Sequence, residues 1–555
     1  MKYLFTINLI IFCLLDTYSQ DKKDFKISGG FSAGGELYDV SGIPERRSPY
    51  SYNVNGYVVF SYKDFSLPVS ASYRDAQFSY DYTFNRFGIT PTYKWIKLHL
   101  GWSNLNFSPY TYSGRPFYGI GIELTPGIFY FGAMAGKIRN PLAIRDTLVY
   151  GSSLVPSYDR KLKGIKVGLR KAKNKLELMA VKIEDDPESF EYPDNYTQTY
   201  GYQVLTPKEN ICIGLNGAIT LFKRLDIYAN TGVSAFTADR NDSLLITYGS
   251  EVPSFIKGIF QANTSSRITL AGDGGANFRF KGHKIGFKYR RVDPFYATLA
   301  TNYFQNDLEQ YTFILGTQFW KRKVRLDGQL GIEHNNLTKL RTNTTDRIIG
   351  NLNANINFSE KLQTSLQYSN FQTESVNEIL QLNDTLRFVS SSNNYGLYTN
   401  YLIKKDSRQL TFNLFINYNT VRDQSEFEQI GDVNIFSAGL AHGYTFEEND
   451  LSLFPSINYN QYNYRGISQV RYGGGIKINK KFFDKKLSLS LGTNLFTNKY
   501  DGLNDGWSSN FALNTVFKVG RKSSLAFNNT YRIQNSTVNR SFIEVRSVLR
   551  YNHRF

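Results

Sequence analysis

The residue types best suited to catalysis or metal binding are few in this chain and widely scattered. Besides two cysteines, Cys13 and Cys212, there are five histidines: His99, His283, His334, His442 and His553. None of the histidines stands at metal-ligand spacing from another histidine or a cysteine. No His-Glu-x-x-His, Gly-x-Ser-x-Gly or phosphate-loop motif occurs either. A disulfide framework or thiolate metal site would need more cysteines. We therefore predict a protein that is not an enzyme and that has no cofactor.

Two acidic clusters have the residue types that bind calcium. The larger contains Glu184, Asp185, Asp186 and Glu188, and the smaller contains Asp501, Asn504 and Asp505. Calcium prefers oxygen ligands, but neither cluster follows the spacing of an EF-hand. We interpret both as solvated loops and leave calcium binding open. The glycine-rich residues 271–275 fall inside a predicted strand, where such residues indicate a tight or bulged strand.

Apolar and polar residues alternate with a period of two from one end of the chain to the other. Leu352, Ala354, Ile356 and Phe358 alternate with asparagines, and leucines alternate with serines in residues 487–491. This pattern is typical of strands with one apolar and one polar face. Soluble sandwiches rarely contain so many strands in one series. In an outer-membrane barrel the apolar face meets lipid, the polar face lines the lumen, and closure satisfies the backbone.

The connections between these strands alternate in length. Long ones include residues 104–115, 138–160, 184–208, 238–265, 293–309 and 498–505, whereas residues 62–64 and 321–323 are short turns. Short periplasmic turns and long extracellular loops are typical of outer-membrane barrels. We therefore predict an all-β fold, a transmembrane antiparallel up-and-down β-barrel of about 26 strands, within a range of roughly 22 to 28. We predict no plug domain, because strands begin within a few residues of Asp24.

The N-terminus has the layout of a secretory signal peptide. Lys2 precedes an apolar stretch, residues 3–15, and a short polar segment ends at Gln20. We assign residues 1–20 to the signal peptide and residues 21–555 to the barrel. Phe12 stands where a lipobox has a small residue, so we interpret Cys13 as part of the signal core.

The chain is basic and rich in aromatic residues. Its formal net charge is +18, and 15% of its residues are aromatic. A basic chain can bind nucleic acid, but much of this excess lies in the short turns of an exported protein, so we predict no nucleic-acid partner. Trp95 and Trp320 stand beside two such turns. Both are predicted members of an interfacial aromatic girdle, with outer-membrane lipid as the partner.

The C-terminus carries the sharpest local signal. Apolar and aromatic residues alternate up to the last residue of the chain, at Leu549, Tyr551, His553 and Phe555. A final strand that ends in phenylalanine resembles the signal by which outer-membrane barrels are recognised for assembly. These four residues therefore predict an interaction with the barrel-assembly machinery.

Two longer segments resemble a known group of proteins. Residues 84–138 read FNRFGITPTYKWIKLHLGWSNLNFSPYTYSGRPFYGIGIELTPGIFYFGAMAGKI, and residues 290–313 read RRVDPFYATLATNYFQNDLEQYTF. Both are similar to segments of large outer-membrane barrel proteins of Bacteroidota. The Ser19-Gln20 processing site resembles that group as well. The resemblance implies a barrel fold and an integral outer-membrane location in a Gram-negative cell, and it implies no particular activity.

A barrel of this size poses a closure problem that constrains its function. Porins of 16 to 18 strands already leave a water channel, so loops, inward side chains or another protein must close a wider lumen. The long loops between residues 138 and 265 supply enough chain to do so. The side chains that we predict to be lumen-facing and basic, and to favour anions, are Arg325, Arg471, Lys477, Arg546, Arg550 and Arg554.

Two functions fit this description. In the first, the protein is a porin-like, loop-gated channel for small solutes, with anions as a candidate class. In the second, it is a non-catalytic structural subunit of an outer-membrane complex for protein assembly, secretion or surface display. Its partners would then be outer-membrane proteins or surface lipoproteins. Conductance would favour the channel, and stable co-purifying proteins would favour the subunit.

Overall fold

A computed structural model describes most of the chain. It describes residues 24–75, 85–141, 157–189, 205–244, 260, 262–301, 305–339, 346–375, 388–423 and 431–555. The predicted signal peptide, including Cys13, lies outside the described residues. So do large parts of the long loops predicted between residues 138 and 265, namely residues 142–156, 190–204 and 245–259.

The described residues form 27 strand segments. In chain order these are β1 (Phe25–Ser41), β2 (Tyr50–Tyr62), β3 (Phe65–Arg74), β4 (Arg86–Ile89), β5 (Thr92–Tyr93), β6 (Ile96–Ser103), β7 (Phe117–Leu124), β8 (Phe129–Arg139), β9 (Arg160–Lys171), β10 (Asn174–Asp185), β11 (Glu209–Leu221), β12 (Leu225–Thr237), β13 (Ser266–Phe280), β14 (His283–Val292), β15 (Leu308–Phe319), β16 (Val324–Asn335), β17 (Asp346–Asn357), β18 (Leu362–Ser375), β19 (Phe388–Lys405), β20 (Arg408–Asp423), β21 (Val433–Phe446), β22 (Leu451–Tyr464), β23 (Ile467–Phe482), β24 (Leu487–Tyr500), β25 (Leu503–Lys518), β26 (Ser523–Asn535) and β27 (Phe542–Arg554).

These segments close into one antiparallel barrel. Each strand pairs with its neighbours in the chain, and β27 pairs with β1 over Gly30 to Ser41. Segments β4 and β5 both pair with β3 and β6, so they are two pieces of one barrel strand, interrupted at Pro91. Proline has no N–H to donate to the ladder. The described residues therefore make 26 barrel strands, and the predicted fold class is confirmed.

The two faces of the wall differ in polarity. On β9, Ile165, Val167 and Leu169 are exposed on the outside, whereas Lys166 between them is buried inside. The same alternation places exposed Leu178 of β10 outside and buried Met179 inside. An apolar outer face with a polar or packed inner face is the arrangement of a membrane barrel. Among the described residues, no helix is long and apolar enough to cross a membrane.

Connection lengths alternate between the two rims, with one exception to the prediction. The turns at one rim contain two to four residues. At the other rim, residues 498–505 were predicted to form a long connection, which is wrong. Strand β24 runs to Tyr500 and β25 begins at Leu503. Only Asp501 and Gly502, with φ of 50° and 81°, form the turn. Positive φ at both central residues suits the twist of a two-residue hairpin, and Asp-Gly adopts it readily.

Candidate functional site: two inward-folded segments in the lumen

Residues 104–116, which connect β6 to β7, fold into the barrel rather than away from it. We call them the first inner segment. A tight turn shapes it, because the backbone N–H groups of Thr111 and Tyr112 both donate to the Ser108 carbonyl, at 3.1 Å each. The Phe107 N–H donates back to the Tyr112 carbonyl at 3.0 Å. Tyr112 is fully buried, although it belongs to a connection between strands.

Side chains of the barrel wall hold the first inner segment in place. The Phe107 carbonyl accepts hydrogen bonds from Lys166 Nζ at 3.1 Å and Asn216 Nδ2 at 3.3 Å. Further along the segment, the Tyr110 hydroxyl donates to Asp273 Oδ1 at 2.8 Å. Burial raises the pKa of the Tyr110 hydroxyl, so it remains a protonated donor at neutral pH. These contacts join the segment to β9, β11 and β13.

Lys166 is itself part of a buried ion-pair cluster. Its ammonium lies 3.0 Å from Glu177 Oε2, and the two side chains are only 4% and 1% exposed. Arg170 Nε lies 2.5 Å from the other oxygen of Glu177. A buried ammonium is tolerated only when it is paired and hydrogen-bonded. The cluster therefore presents Lys166 as a charged donor to the first inner segment.

Residues 293–301, the first part of the connection from β14 to β15, form the second inner segment. Its entry is fixed at Asp293, whose Oδ2 accepts a hydrogen bond from the Leu270 N–H at 2.9 Å. Deeper in the lumen, Ser234 Oγ donates to the Ala297 carbonyl at 2.6 Å, and the Leu299 N–H donates to Asn210 Oδ1 at 3.2 Å. Strands β11 and β12 therefore hold this segment.

The two inner segments bind each other across long distances in the chain. The Tyr296 hydroxyl donates to the Tyr110 carbonyl at 2.5 Å, and Thr298 Oγ1 donates to the Thr111 carbonyl at 2.8 Å. In the opposite direction, Arg115 Nη1 donates to the Leu299 carbonyl at 3.0 Å. The segments thus form one unit inside the barrel.

Apolar packing completes this unit. A single cluster of buried side chains combines residues of both segments with inward-facing residues of the wall. Its members are Leu105, Phe107, Tyr112, Phe117, Met134, Ile138, Leu162, Met179, Val181, Ile183 and Ala300. Fully burying one large apolar side chain contributes about 1.5–3 kcal/mol. The packed unit therefore covers the inner face of the wall from β7 to β10 and narrows the lumen there.

Three of the predicted basic residues of the lumen have a nearby polar or aromatic group. Arg325 forms an ion pair with Asp327 on the same strand. Arg546 donates two hydrogen bonds to Glu36, at 2.8 and 3.0 Å. Arg471 has its guanidinium carbon 4.0 Å from the centroid of the Phe496 ring. Two of these side chains are therefore neutralised locally by carboxylates.

The other three predicted basic residues stand opposite glycines. On one side, the cross-strand partner of Lys477 is Gly492, that of Arg550 is Gly34 and that of Arg554 is Gly30. Arg550 and Arg554 belong to the closing strand β27. A glycine opposite leaves room for a long side chain along the wall.

The C-terminal strand closes the barrel. Tyr551 and His553 pair with Ala33 and Phe31 of β1, and the Phe555 N–H donates to the Gly29 carbonyl at 3.2 Å. The predicted assembly residues Leu549, Tyr551, His553 and Phe555 therefore lie at the seam between the last strand and the first. Their role in assembly stays a prediction.

The predicted girdle residues lie at the rim of short turns. Trp95 is in the turn between β5 and β6, and Trp320 is in the turn between β15 and β16; they are 45% and 72% exposed. The Trp320 ring contacts Phe319 edge-on, with centroids 5.3 Å apart. Contact with lipid headgroups stays a prediction for both.

Each of the five histidines and Cys212 contacts another residue of the barrel wall. The histidine contacts are His99 with Glu123 at 2.8 Å, His283 with Thr317 at 2.6 Å, His334 with Asp346 at 2.5 Å, His442 with Phe412 at 4.0 Å between ring centroids, and His553 with Ser523 at 2.8 Å. Cys212 is a buried strand residue on β11, next to Asn210. These groups are spread around the wall rather than gathered at one point.

The larger acidic cluster was interpreted as a solvated loop, which is wrong for Glu184 and Asp185: both belong to β10, and Asp185 is buried among basic side chains. Arg160 donates to both oxygens of Asp185, at 2.6 and 2.9 Å. The Lys161 ammonium donates to Asp186 at 2.8 Å and lowers the pKa of that carboxyl. Across the described residues, no group of three or more histidine, cysteine or acidic side chains is arranged to hold a metal ion. Asp185 and Asp186 therefore organise the loop rim through ion pairs.

The smaller acidic cluster caps a turn. Asp505 lies on β25 and not in a loop. Its Oδ1 accepts hydrogen bonds from Ser536 Oγ at 2.6 Å and from the N–H groups of Thr537 and Val538 at 2.8 Å each. These partners begin the connection from β26 to β27. Asp505 therefore fixes the shape of the neighbouring connection.

Sequence reasoning missed the two inner segments. It treated residues 104–115 and 293–309 only as long connections, and it placed closure in the loops between residues 138 and 265. Composition is the signal that could have indicated the first inner segment. It contains Leu105, Phe107, Tyr110 and Tyr112, and large apolar and aromatic side chains of this kind are more often buried than exposed. Both inner segments fall within the stretches that carry the family resemblance.

Comparison with protein-family models finds no match to this sequence, and comparison with curated proteins finds none either. Several solved structures are similar in fold. The P pilus usher (PapC) translocation pore is 9% identical, with 95% of this chain and 99% of that chain covered and a TM-score of 0.38. The E. coli P pilus tip assembly intermediate PapC-PapD-PapK-PapG contains a chain that is 11% identical, with coverage of 96% and 62% and a TM-score of 0.44. The ferric enterobactin receptor PfeA of Pseudomonas aeruginosa is 9% identical, with coverage of 96% and 80% and a TM-score of 0.42. Similarity at this level is too low to support an argument about function.

Proposed function

We propose that this protein is an integral outer-membrane channel for small polar solutes, narrowed by its two inner segments. The observation that carries the proposal is the packed unit of residues 104–116 and 293–301 inside a closed 26-strand barrel. A barrel wider than a porin needs such an obstruction to preserve the membrane barrier. Outer-membrane barrels with an interior plugged by their own loops are known.

The barrel itself supports the membrane location. Only helices and closed barrels satisfy every backbone group in a bilayer. The outer face carries exposed apolar side chains such as Leu176, Leu178, Ile213 and Leu215 on adjoining strands. In water these side chains would form an apolar patch far larger than soluble proteins expose. Assembly through the C-terminal strand that ends at Phe555 is part of the same proposal.

The charge of the lumen bears on the solute. Arg325 forms an ion pair with Asp327, and Arg546 forms one with Glu36. The neighbouring negative charges offset the positive ones, so these two arginines contribute little net attraction for anions. We therefore propose polar solutes with at most mild anion selectivity. Arg471, Lys477, Arg550 and Arg554 are the residues that would carry any such preference.

Conductance of the purified full-length chain in planar bilayers tests the proposal. We expect discrete channel openings, with conductance that increases when residues 106–113 are replaced by a glycine–serine stretch of equal length. The matched control replaces residues 536–541, which connect two strands at the same rim without belonging to the inner unit, and leaves conductance unchanged. A protein that conducts no current would refute the channel, and stoichiometric co-purifying partners would then support the structural-subunit alternative.

A further inference from the structure

A second region of the inner wall, away from the inner segments, is lined by uncharged amide and aromatic side chains. A recess of about 440 Å³ lies along β17 to β21, near the rim of short turns. This volume is within the range of small-molecule sites, ~300–1,000 Å³. Every residue that lines the recess is uncharged. A solute bound there would meet neutral polar groups and aromatic rings.

Two aromatic residues form the centre of this recess. Tyr398 of β19 and Phe415 of β20 are directly opposite each other in the strand register. Each ring lies over a glycine: a Cβ added at Gly396 would meet the Tyr398 ring at 2.8 Å, and one at Gly439 would meet the Phe415 ring at 2.3 Å. The missing side chains let both rings lie along the wall. The two rings therefore lie flat on the wall and do not project across the lumen. We call Tyr398 and Phe415 the platform.

Amide side chains surround the platform. Asn400 Nδ2 donates to Asn413 Oδ1 at 2.6 Å, two residue pairs along the ladder from Tyr398 and Phe415 and on the same face of the wall. Asn355 and Gln363 line the same recess on β17 and β18. Each amide has two N–H donors and an oxygen with two lone pairs. The Asn400–Asn413 bond uses only part of that capacity, so the row can both donate to a solute and accept from it.

We propose that this recess is a binding site for neutral oligosaccharides that pass through the lumen. Sugar hydroxyls donate and accept hydrogen bonds, as the amides require, and the C–H face of a sugar ring packs on an aromatic ring. An anionic or cationic solute would find no charged partner among the lining residues. The inference rests on the proposed channel function for its biological setting, but binding can be measured without it.

The test uses the full chain in planar bilayers, with maltohexaose added to one side. We expect concentration-dependent interruptions of the current that polyethylene glycol of matched hydrodynamic radius does not produce. In the double variant Tyr398→Ala, Phe415→Ala the apparent dissociation constant should increase about tenfold or more, since two ring contacts are lost. Interruptions equal to those of polyethylene glycol, or unchanged in the double variant, would overturn the inference.

Two further variants separate binding from folding. Gly396→Ala keeps both rings but displaces Tyr398, and it should weaken the sugar effect while the barrel still assembles. Tyr395→Ala removes an exposed ring from the outer face of the same strand and should leave the sugar effect unchanged. If the wild-type chain conducts no current, the channel proposal fails. Equilibrium dialysis against maltohexaose then tests the site by itself. Retention of maltohexaose by the wild-type chain, abolished in the double variant Tyr398→Ala, Phe415→Ala, supports the site. Absence of retention by the wild-type chain overturns it.

Discussion

The buried pair of Lys166 and Glu177 provides the sharpest test of how the first inner segment is anchored. Glu177→Gln leaves the Lys166 ammonium 4% exposed, with the Phe107 carbonyl at 3.1 Å and a neutral amide in place of the carboxylate. Breaking a buried pair by removing one partner costs about 3–5 kcal/mol, because a charge stays buried without compensation. We expect a loss of that size in the free energy of unfolding.

The reverse substitution should cost less, for a reason that is visible in the structure. Lys166→Met leaves Glu177 paired with Arg170 at 2.5 Å, and Arg170 is 41% exposed and partly hydrated. The remaining cost is the lost hydrogen bond to the Phe107 carbonyl, about 1–3 kcal/mol. The double variant Lys166→Met, Glu177→Gln removes both charges and should recover part of the stability that Glu177→Gln loses.

Urea unfolding of the reconstituted barrel, followed by tryptophan fluorescence, measures this order. The control is Lys161→Met, which removes an ion pair with Asp186 at the exposed rim, where side chains are 47% and 29% exposed. An exposed pair contributes about 0–1 kcal/mol. If Lys166→Met destabilises the barrel as much as Glu177→Gln, or if the double variant recovers nothing, the buried-charge argument is refuted.

Two other predictions concern the inner unit and the rim. A disulfide between Thr111→Cys and Gly214→Cys, in a Cys212→Ser background, should lock the first inner segment to β11, because a Cβ at residue 214 would lie 2.7 Å from Thr111 Cγ2. The locked channel should not open until a reductant is added. Single-channel recording before and after reduction checks this, and unchanged opening in the oxidised state contradicts it. Asp505→Ala should destabilise the connection at residues 536–541 by about 1–3 kcal/mol, since it leaves backbone N–H groups without their acceptor; increased proteolysis confined to that connection, compared with Asp501→Ala, is the readout.

The barrel could be predicted from the sequence because its signals are local. Alternation with a period of two is readable within single strands such as β17 and β24, and the lengths of successive connections show which rim each one occupies. The two-residue turn at Asp501 and Gly502 was also readable locally. It was missed because the polar residues from Asn498 to Asp505 were interpreted as a loop, although Asp-Gly is a typical two-residue hairpin turn.

The inner segments could not be predicted in the same way, because their positions depend on contacts between distant parts of the chain. Thr298 binds the carbonyl of Thr111, and Tyr110 binds Asp273, across 187 and 163 residues respectively. Nothing near Thr111 in the sequence indicates these partners. The apolar residues of 104–116 indicate that this segment is buried. Only the closed barrel shows that it is buried inside the lumen.

The way in which the inner unit is held determines how it can open. Its principal acceptors are main-chain carbonyls, those of Phe107, Tyr110, Thr111, Ala297 and Leu299. Hydrogen bonds to main-chain atoms set the path of both segments, so their solvent-facing side chains can change without loss of position. Each buried carbonyl that loses its donor costs about 1–3 kcal/mol, and the same movement would expose the shared apolar cluster. Displacement of one segment therefore removes support from the other, and opening should occur as one cooperative step that involves both segments.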